Sequence, residues 1–254
     1  MKLLMKISLA FLLTAVGLFL YWYAFIALEE MPMEQGDILE AYQYPSVESL
    51  KLDMTETRPN VFSFTYESFD GAVVYGQISY AVISIDARYH GKRKDPDRTL
   101  RSIMNDVHFF GDKRDYEAMV RDTVLDHRVL LDWIEQQDNL DIDRVKVAGY
   151  SMGGQIGLIL GSVDARISDI ISIVPPFIDD KLALVAPKNL VSLLGDKPVL
   201  LITAADDENA SAAENDLLFE LMPGANKERI DFNGGHILPE GYVNRLKGEF
   251  EYGR

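Results

Sequence analysis

Val145-Lys146-Val147-Ala148-Gly149-Tyr150-Ser151-Met152-Gly153-Gly154 is the stretch on which the reading of this chain turns. A β-rich run leads into Gly149-Tyr150-Ser151-Met152-Gly153, and a helix-compatible, glycine-tolerant run follows it. In a strand–turn–helix of this kind the serine is held in a strained backbone conformation. The flanking glycines let strand and helix approach without a Cβ clash. The serine oxygen then stands at a helix N-terminus, where the next backbone N–H, that of Met152, can stabilise an oxyanion. The bland alternative is a glycine-rich helix start with Ser151 as an N-cap. The five-residue pattern alone is weak; its strand–turn–helix setting gives it weight.

Outward from this stretch, short apolar runs alternate with helical ones. Residues 61–67 and 72–85 are strand-like, the second broken by Gly76. Residues 116–136 carry apolar side chains at helical spacing, among them Met119, Val120, Val124, Leu131 and Ile134. Residues 167–174 and 199–204 are buried strands, 212–221 a helix, 229–232 a last strand and 239–250 a last helix. Alternation of this kind predicts an α/β fold, a mostly parallel sheet with helices on both faces. Ligands in such sheets bind beyond the carboxyl ends of the strands.

A serine nucleophile needs a base, and the base needs an orienting carboxylate. The chain has four histidines: His90, His108, His127 and His236. His127 lies inside the long helix and His108 in an aromatic loop, both read as packing residues. His236 follows the last strand in Phe232-Asn233-Gly234-Gly235-His236, a loop able to aim an imidazole back over the sheet. The acid is sought after the strand at 199–204, where Asp206 comes first and Asp207 is its adjacent rival. Asp206 is the expected partner of His236.

The N-terminus carries a different signal. Lys2 and Lys6 precede an uncharged run from Ile7 to Leu28, with Tyr21, Trp22 and Tyr23 near its end and Glu29, Glu30 and Glu34 beyond it. About 20 apolar residues span a hydrocarbon core of roughly 30 Å. The charge bias predicts a single-pass anchor at residues 1–28, N-terminus cytoplasmic and the remainder outside, periplasmic in a bacterium. A cleaved signal, giving a secreted protein, and a buried core helix are the alternatives, and Phe25-Ile26-Ala27 is a poor cleavage site. Residues 29–58 are polar, with Pro32 and Pro45, and read as a linker; residues 59–254 form the folded domain.

Composition narrows the classes further. The chain has 254 residues, 48% of them hydrophobic, and a formal net charge of −15. It is long enough for one large α/β domain and too well mixed to be disordered. The acidic balance argues against a nucleic-acid partner. Without cysteine there is no disulfide, thiolate metal site or cysteine nucleophile.

On these residues the chain resembles the α/β-hydrolase superfamily, in its dienelactone-hydrolase-like and prolyl-oligopeptidase-like branch. The order Ser151, Asp206, His236 is the one that resemblance implies. Asp143-Arg144-Val145 is similar to the family's lead-in to the serine turn. Ile83-Ser84-Ile85-Asp86-Ala87-Arg88-Tyr89-His90-Gly91 is similar to its D-x-R-x-x-G segment, in which Asp86 and Arg88 are structural and His90 lines the mouth. The resemblance covers roughly residues 61–250. It implies hydrolysis of a small-molecule ester, thioester or amide through an acyl-enzyme, with no metal or organic cofactor.

One departure stands out. Members carry a strand ending in His-Gly, then a helix, before the strand that leads to Asp86, and that loop supplies half of the oxyanion hole. Here Tyr75-Gly76-Gln77-Ile78-Ser79-Tyr80 runs straight into Ala81-Val82-Ile83-Ser84-Ile85. One central βα unit is missing at Tyr80–Ala81, which predicts a gap or a re-paired edge in the sheet. The leading expectation is a membrane-anchored serine hydrolase of carboxylic esters. A serine exopeptidase of the same fold and a catalytically impaired binding or scaffold homologue are its rivals. The 175–194 segment is expected to be either a roof over the site or an ordinary connection.

Overall fold

The computed structural model describes residues 2–45, 47, 50–79 and 82–246, the side chains of residues 2–7, 9, 10 and 25 excepted. The junction Tyr80–Ala81 and the end of the expected last helix, residues 247–250, lie outside the described residues. Eight strands and seven α-helices run through the rest: α1 (Lys2–Phe25), α2 (Gln35–Ala41), β1 (Asp53–Arg58), β2 (Val61–Glu67), β3 (Val73–Ser79), β4 (Val82–Ile85), α3 (Leu100–Asn105), α4 (Arg114–Glu135), β5 (Val145–Tyr150), α5 (Met152–Val163), β6 (Ile167–Ile173), β7 (Val199–Ala204), α6 (Ala212–Leu221), β8 (Lys227–Phe232) and α7 (Tyr242–Arg245).

The strands form two sheets of four rather than one. β1-β2-β3-β4 is antiparallel throughout, and β5-β6-β7-β8 is parallel throughout. Ser79 of β3 pairs with Val82 of β4, so no crossover helix separates them. Among the described residues no ladder joins β4 to β5. The expected gap lies here. A cavity of about 570 Å³ takes its place, walled by Ile83 and Ile85 on one side and Val145, Val147 and Met152 on the other.

Both faces of the parallel sheet are covered, because strand alternation sends neighbours to opposite sides. Ile170, Val199 and Leu201 pack in the core shared with α4 and α5, while Ile171, Leu200 and Ile202 face Phe232, Leu238 and Leu246.

The described part of residues 29–58 is not a linker. Ile38 of α2 is 0% exposed and Tyr42 is 1% exposed. The Tyr42 hydroxyl donates to the Leu184 carbonyl, and Arg128 donates to the Tyr42 carbonyl. β1 is the outer strand of the antiparallel sheet. Residues 175–194 are short 3-10 turns whose Val185, Leu190 and Leu194 are buried in the core, so the segment is packed connection more than roof. Gly76, expected to break a strand, sits within β3 opposite Phe64.

Among the described residues no helix is long and apolar enough to cross a membrane. α1 nonetheless exposes Phe11, Leu12, Leu13, Leu18 and Phe19.

Candidate active site

β5 ends at Tyr150 and α5 begins at Met152, leaving Ser151 alone in the turn with φ 56° and ψ −120°. An L-residue at positive φ is strained, at a cost on the order of 1–3 kcal/mol. Two backbone bonds fix it: the Ser151 N–H donates to the Ile173 carbonyl at 2.8 Å, and Gln155 N–H donates to the Ser151 carbonyl at 3.1 Å. A Cβ on Gly149 would strike the Gly153 carbonyl, so the strand can meet the helix this closely only with glycine there.

Beyond β8, Gly234 at φ 109° turns the chain so that His236 faces the serine. Its Nε2 lies 2.7 Å from Ser151 Oγ. Its Nδ1 lies 3.0 Å from Oδ2 and 3.1 Å from Oδ1 of Asp207. The acid against His236 is therefore Asp207, which corrects the expectation for Asp206.

The reason is a turn. Ala205 and Asp206 still donate backbone bonds to Phe232 and Gly234, but Asp207 N–H folds back to the Ala204 carbonyl. That places Asp206 at the exposed tip and buries the Asp207 side chain to 1% exposure. The Asn209 N–H, at 2.8 Å, also donates to Asp207 Oδ1.

Two further residues hold the histidine loop. The Tyr150 hydroxyl donates to the His236 carbonyl at 2.6 Å and accepts from Leu238 N–H at 3.0 Å. Glu208 Oε2 accepts from His236 N–H at 3.3 Å. Backbone hydrogen bonds, first its own N–H and then that of His236, hold the Glu208 carboxyl below its usual range. Tyr150 occupies the variable position of the serine motif, so nothing in that pattern marks it.

The remaining histidines stand elsewhere. His127 Nδ1 pairs with the Thr123 carbonyl within α4, His108 Nδ1 with the Met104 carbonyl, and His90 Nδ1 with the Arg88 carbonyl. Arg88 bridges Asp70 at 2.7 Å and the fully buried Asp126 at 2.8 Å, and Arg93 reaches Asp126 at 2.6 Å. Asp86 accepts from Lys92 N–H at 2.8 Å. These are supports for the loop after β4.

The parallel strand order, the strained serine turn after β5, the acid after β7 and the histidine after β8 define one architecture. The chain has the α/β-hydrolase fold. The family profile described as alpha/beta hydrolase fold matches residues 76–190. Acetyl xylan esterase 1 from Thermoanaerobacterium sp. superposes with a TM-score of 0.70 at 14% identity, covering 88% of this chain and 95% of that one.

Acetyl xylan esterase from Paenibacillus sp. R4 gives 0.67 at 13% identity, covering 88% and 96%. A cold-adapted esterase from an Arctic intertidal metagenomic library gives 0.55 at 18% identity, covering 80% of this α/β-hydrolase-fold chain and all of that one, 100%. No curated protein matches the sequence. At such identities the solved structures speak to the fold of this hydrolase-fold chain.

Proposed function

We propose that the protein is a serine hydrolase cleaving carboxylic esters or thioesters through an acyl-enzyme. The observation that carries this reading is the line Ser151 Oγ, His236 Nε2, His236 Nδ1, Asp207, with hydrogen-bond distances of 2.7 and 3.0 Å along it. His236 takes the serine proton as Oγ attacks the carbonyl, then returns it to the leaving alcohol or thiol. Asp207 holds the imidazole with its proton on Nδ1 and stabilises the imidazolium. Water repeats the cycle on the acyl-enzyme. The Met152 N–H, at the first residue of α5, supplies one oxyanion donor, favoured by the helix N-terminus. The esterases that share the fold make an ester the first substrate class to try.

The division of the sheet bears on rate. The β4–β5 gap occupies the place where the missing βα unit would bring a second oxyanion donor. Loss of one donor costs about 10²–10³ in turnover. The protein is therefore expected to be a slow esterase.

We also propose that α1 anchors the protein in a membrane, with the catalytic domain outside the cytoplasm. Between Phe11 and Phe19 the exposed side chains of α1 are apolar except for Thr14, which supports this placement. An exported reporter fused at the C-terminus should be active outside the cytoplasm; activity inside would overturn the topology.

The test of the catalytic reading is a fluorophosphonate probe on the full chain, followed by a panel of p-nitrophenyl esters and aminoacyl-anilides. Labelling of Ser151 with ester turnover supports it. Labelling with anilide turnover alone would transfer it to a peptidase, and no labelling would leave a binding homologue.

A further inference from the structure

The end of α1 does not hang free of the domain. The Trp22 indole N–H donates to the Phe109 carbonyl at 2.7 Å, and Met31 N–H donates to the Asp180 carbonyl at 3.1 Å. Gly111, at φ 65°, leaves room for the Ile26 carbonyl where a Cβ would stand, and Leu28 packs on the main core. Together these contacts close a cavity of about 740 Å³ between residues 22–30, the π-helical turn Asp106–Phe110 and the 176–182 segment. Its apolar walls include Trp22, Leu28, Val107, Tyr116, Phe177 and Leu182.

Ser151, Asp207 and His236 do not line this cavity, but two of its walls are hydrogen-bonded to the candidate active site. Asn209 lines it, donates to Asp207 at 2.8 Å, and accepts from Phe177 N–H at 2.9 Å. Tyr116 lines it and donates to Gln155, whose own N–H is bonded to the Ser151 carbonyl.

Resting on the serine-hydrolase reading, we infer that the cavity receives the apolar acyl chain of the substrate ester, and that residues 22–28 are part of the substrate site rather than only a tether. The volume falls in the range of small-molecule sites, about 300–1,000 Å³. Its polar groups are largely committed already. The Trp22 N–H is bonded to Phe109, the Tyr116 hydroxyl to Gln155, His108 Nδ1 to Met104, and Lys181 pairs with Asp179 at 3.3 Å. With these groups engaged, the apolar walls are left to suit methylenes better than sugar hydroxyls. Glu29, Glu30 and Asp179 on the lining disfavour a free carboxylate, so a neutral ester fits better than a fatty-acid anion.

The experiment uses the full chain in lipid nanodiscs. Trp133→Phe leaves Trp22 as the one tryptophan of the two in the sequence, and Ser151→Ala prevents turnover. Methyl octanoate is titrated against Trp22 emission, with xylobiose as the sugar probe. A saturable shift with methyl octanoate is expected, weakened about tenfold by Ala27→Phe, which fills the cavity, and by Phe177→Ala, which removes a wall.

In the active chain, p-nitrophenyl octanoate should be turned over about tenfold better than the acetate, a preference both variants erase. No saturable shift, equal affinity in both variants, or saturation by xylobiose instead would overturn the inference. Fluorophosphonate labelling of Ser151 is scored separately. Labelling without octanoate binding sinks only the acyl site, whereas octanoate binding without labelling upholds the cavity as a ligand site and sinks only the hydrolase reading.

Discussion

Tyr150 holds His236 by its backbone: the residue before the serine carries, through a 2.6 Å hydrogen bond, the loop of the histidine that faces that serine. The same hydroxyl accepts from Leu238 N–H, so one oxygen fixes the chain on both sides of Ile237. A buried hydrogen bond contributes about 0.5–1.5 kcal/mol, and loss of both should let the imidazole drift from Ser151. Tyr150→Phe should lower kcat about tenfold with KM little changed. An unaltered kcat would mean that Glu208 and Asp207 hold the loop alone.

Asp207→Asn should cost on the order of 10⁴ in kcat, because the amide favours the wrong imidazole tautomer. Asp206→Asn should cost almost nothing, since its carboxylate lies at the exposed tip of the turn. Steady-state ester hydrolysis by the two variants decides; the reverse ranking would restore Asp206.

The two halves of the sheet should differ in amide exchange. Among the described residues β5 has no ladder on its β4 side, whereas β6 and β7 are paired on both sides. Strand amides facing an unpaired edge exchange early. Hydrogen exchange by mass spectrometry should find β4 and β5 labelled well before β7. Insertion of a relative's strand-and-helix unit between Tyr80 and Ala81 should slow β5 exchange, raise Tm and raise turnover by up to about 10²–10³. If β5 already exchanges as slowly as β7, the edge is closed in solution.

Stability should fall on mild acidification because of His127. Burial pushes its pKa down, against the Thr123 carbonyl contact that favours the charged ring. A histidine depressed in the folded state binds its proton more readily when unfolded. Stability is therefore intact at pH values above the ordinary histidine pKa of about 6.5 and declines as pH drops below it. Urea midpoints from pH 8 to pH 5 should slope downward, and His127→Gln should flatten that slope. A slope unchanged in the variant would place the acid sensitivity elsewhere.

What could be read from the sequence depended on whether the signal was local. Ser151 and its turn are written in five consecutive residues, and His236 in the glycines before it. The choice between Asp206 and Asp207 was not, because it is made by the Asp207-to-Ala204 turn, which no alternation rule foresees. α2 was missed since its seven residues bury a single side chain, Ile38, too little for a periodic pattern. β1 was missed for a related reason: all six of its residues are exposed, so it has no apolar face to reveal it. Tyr150 was passed over because its part is played by a hydroxyl reaching 86 residues along the chain.

The split into β1-β2-β3-β4 and β5-β6-β7-β8 also sets how the molecule can assemble. Within each sheet every strand lies beside its neighbour in sequence, so no strand must wait for a distant one to be synthesised or to arrive. Each half-sheet can close its own loops first, and folding rates rise as the contacts that must form become more local. The long helix α4 lies between the two halves in the chain and packs against α5. Their meeting is then a docking event rather than a weaving one. A break in the backbone after α4 would leave two fragments, each holding a whole sheet, with the means to find each other again.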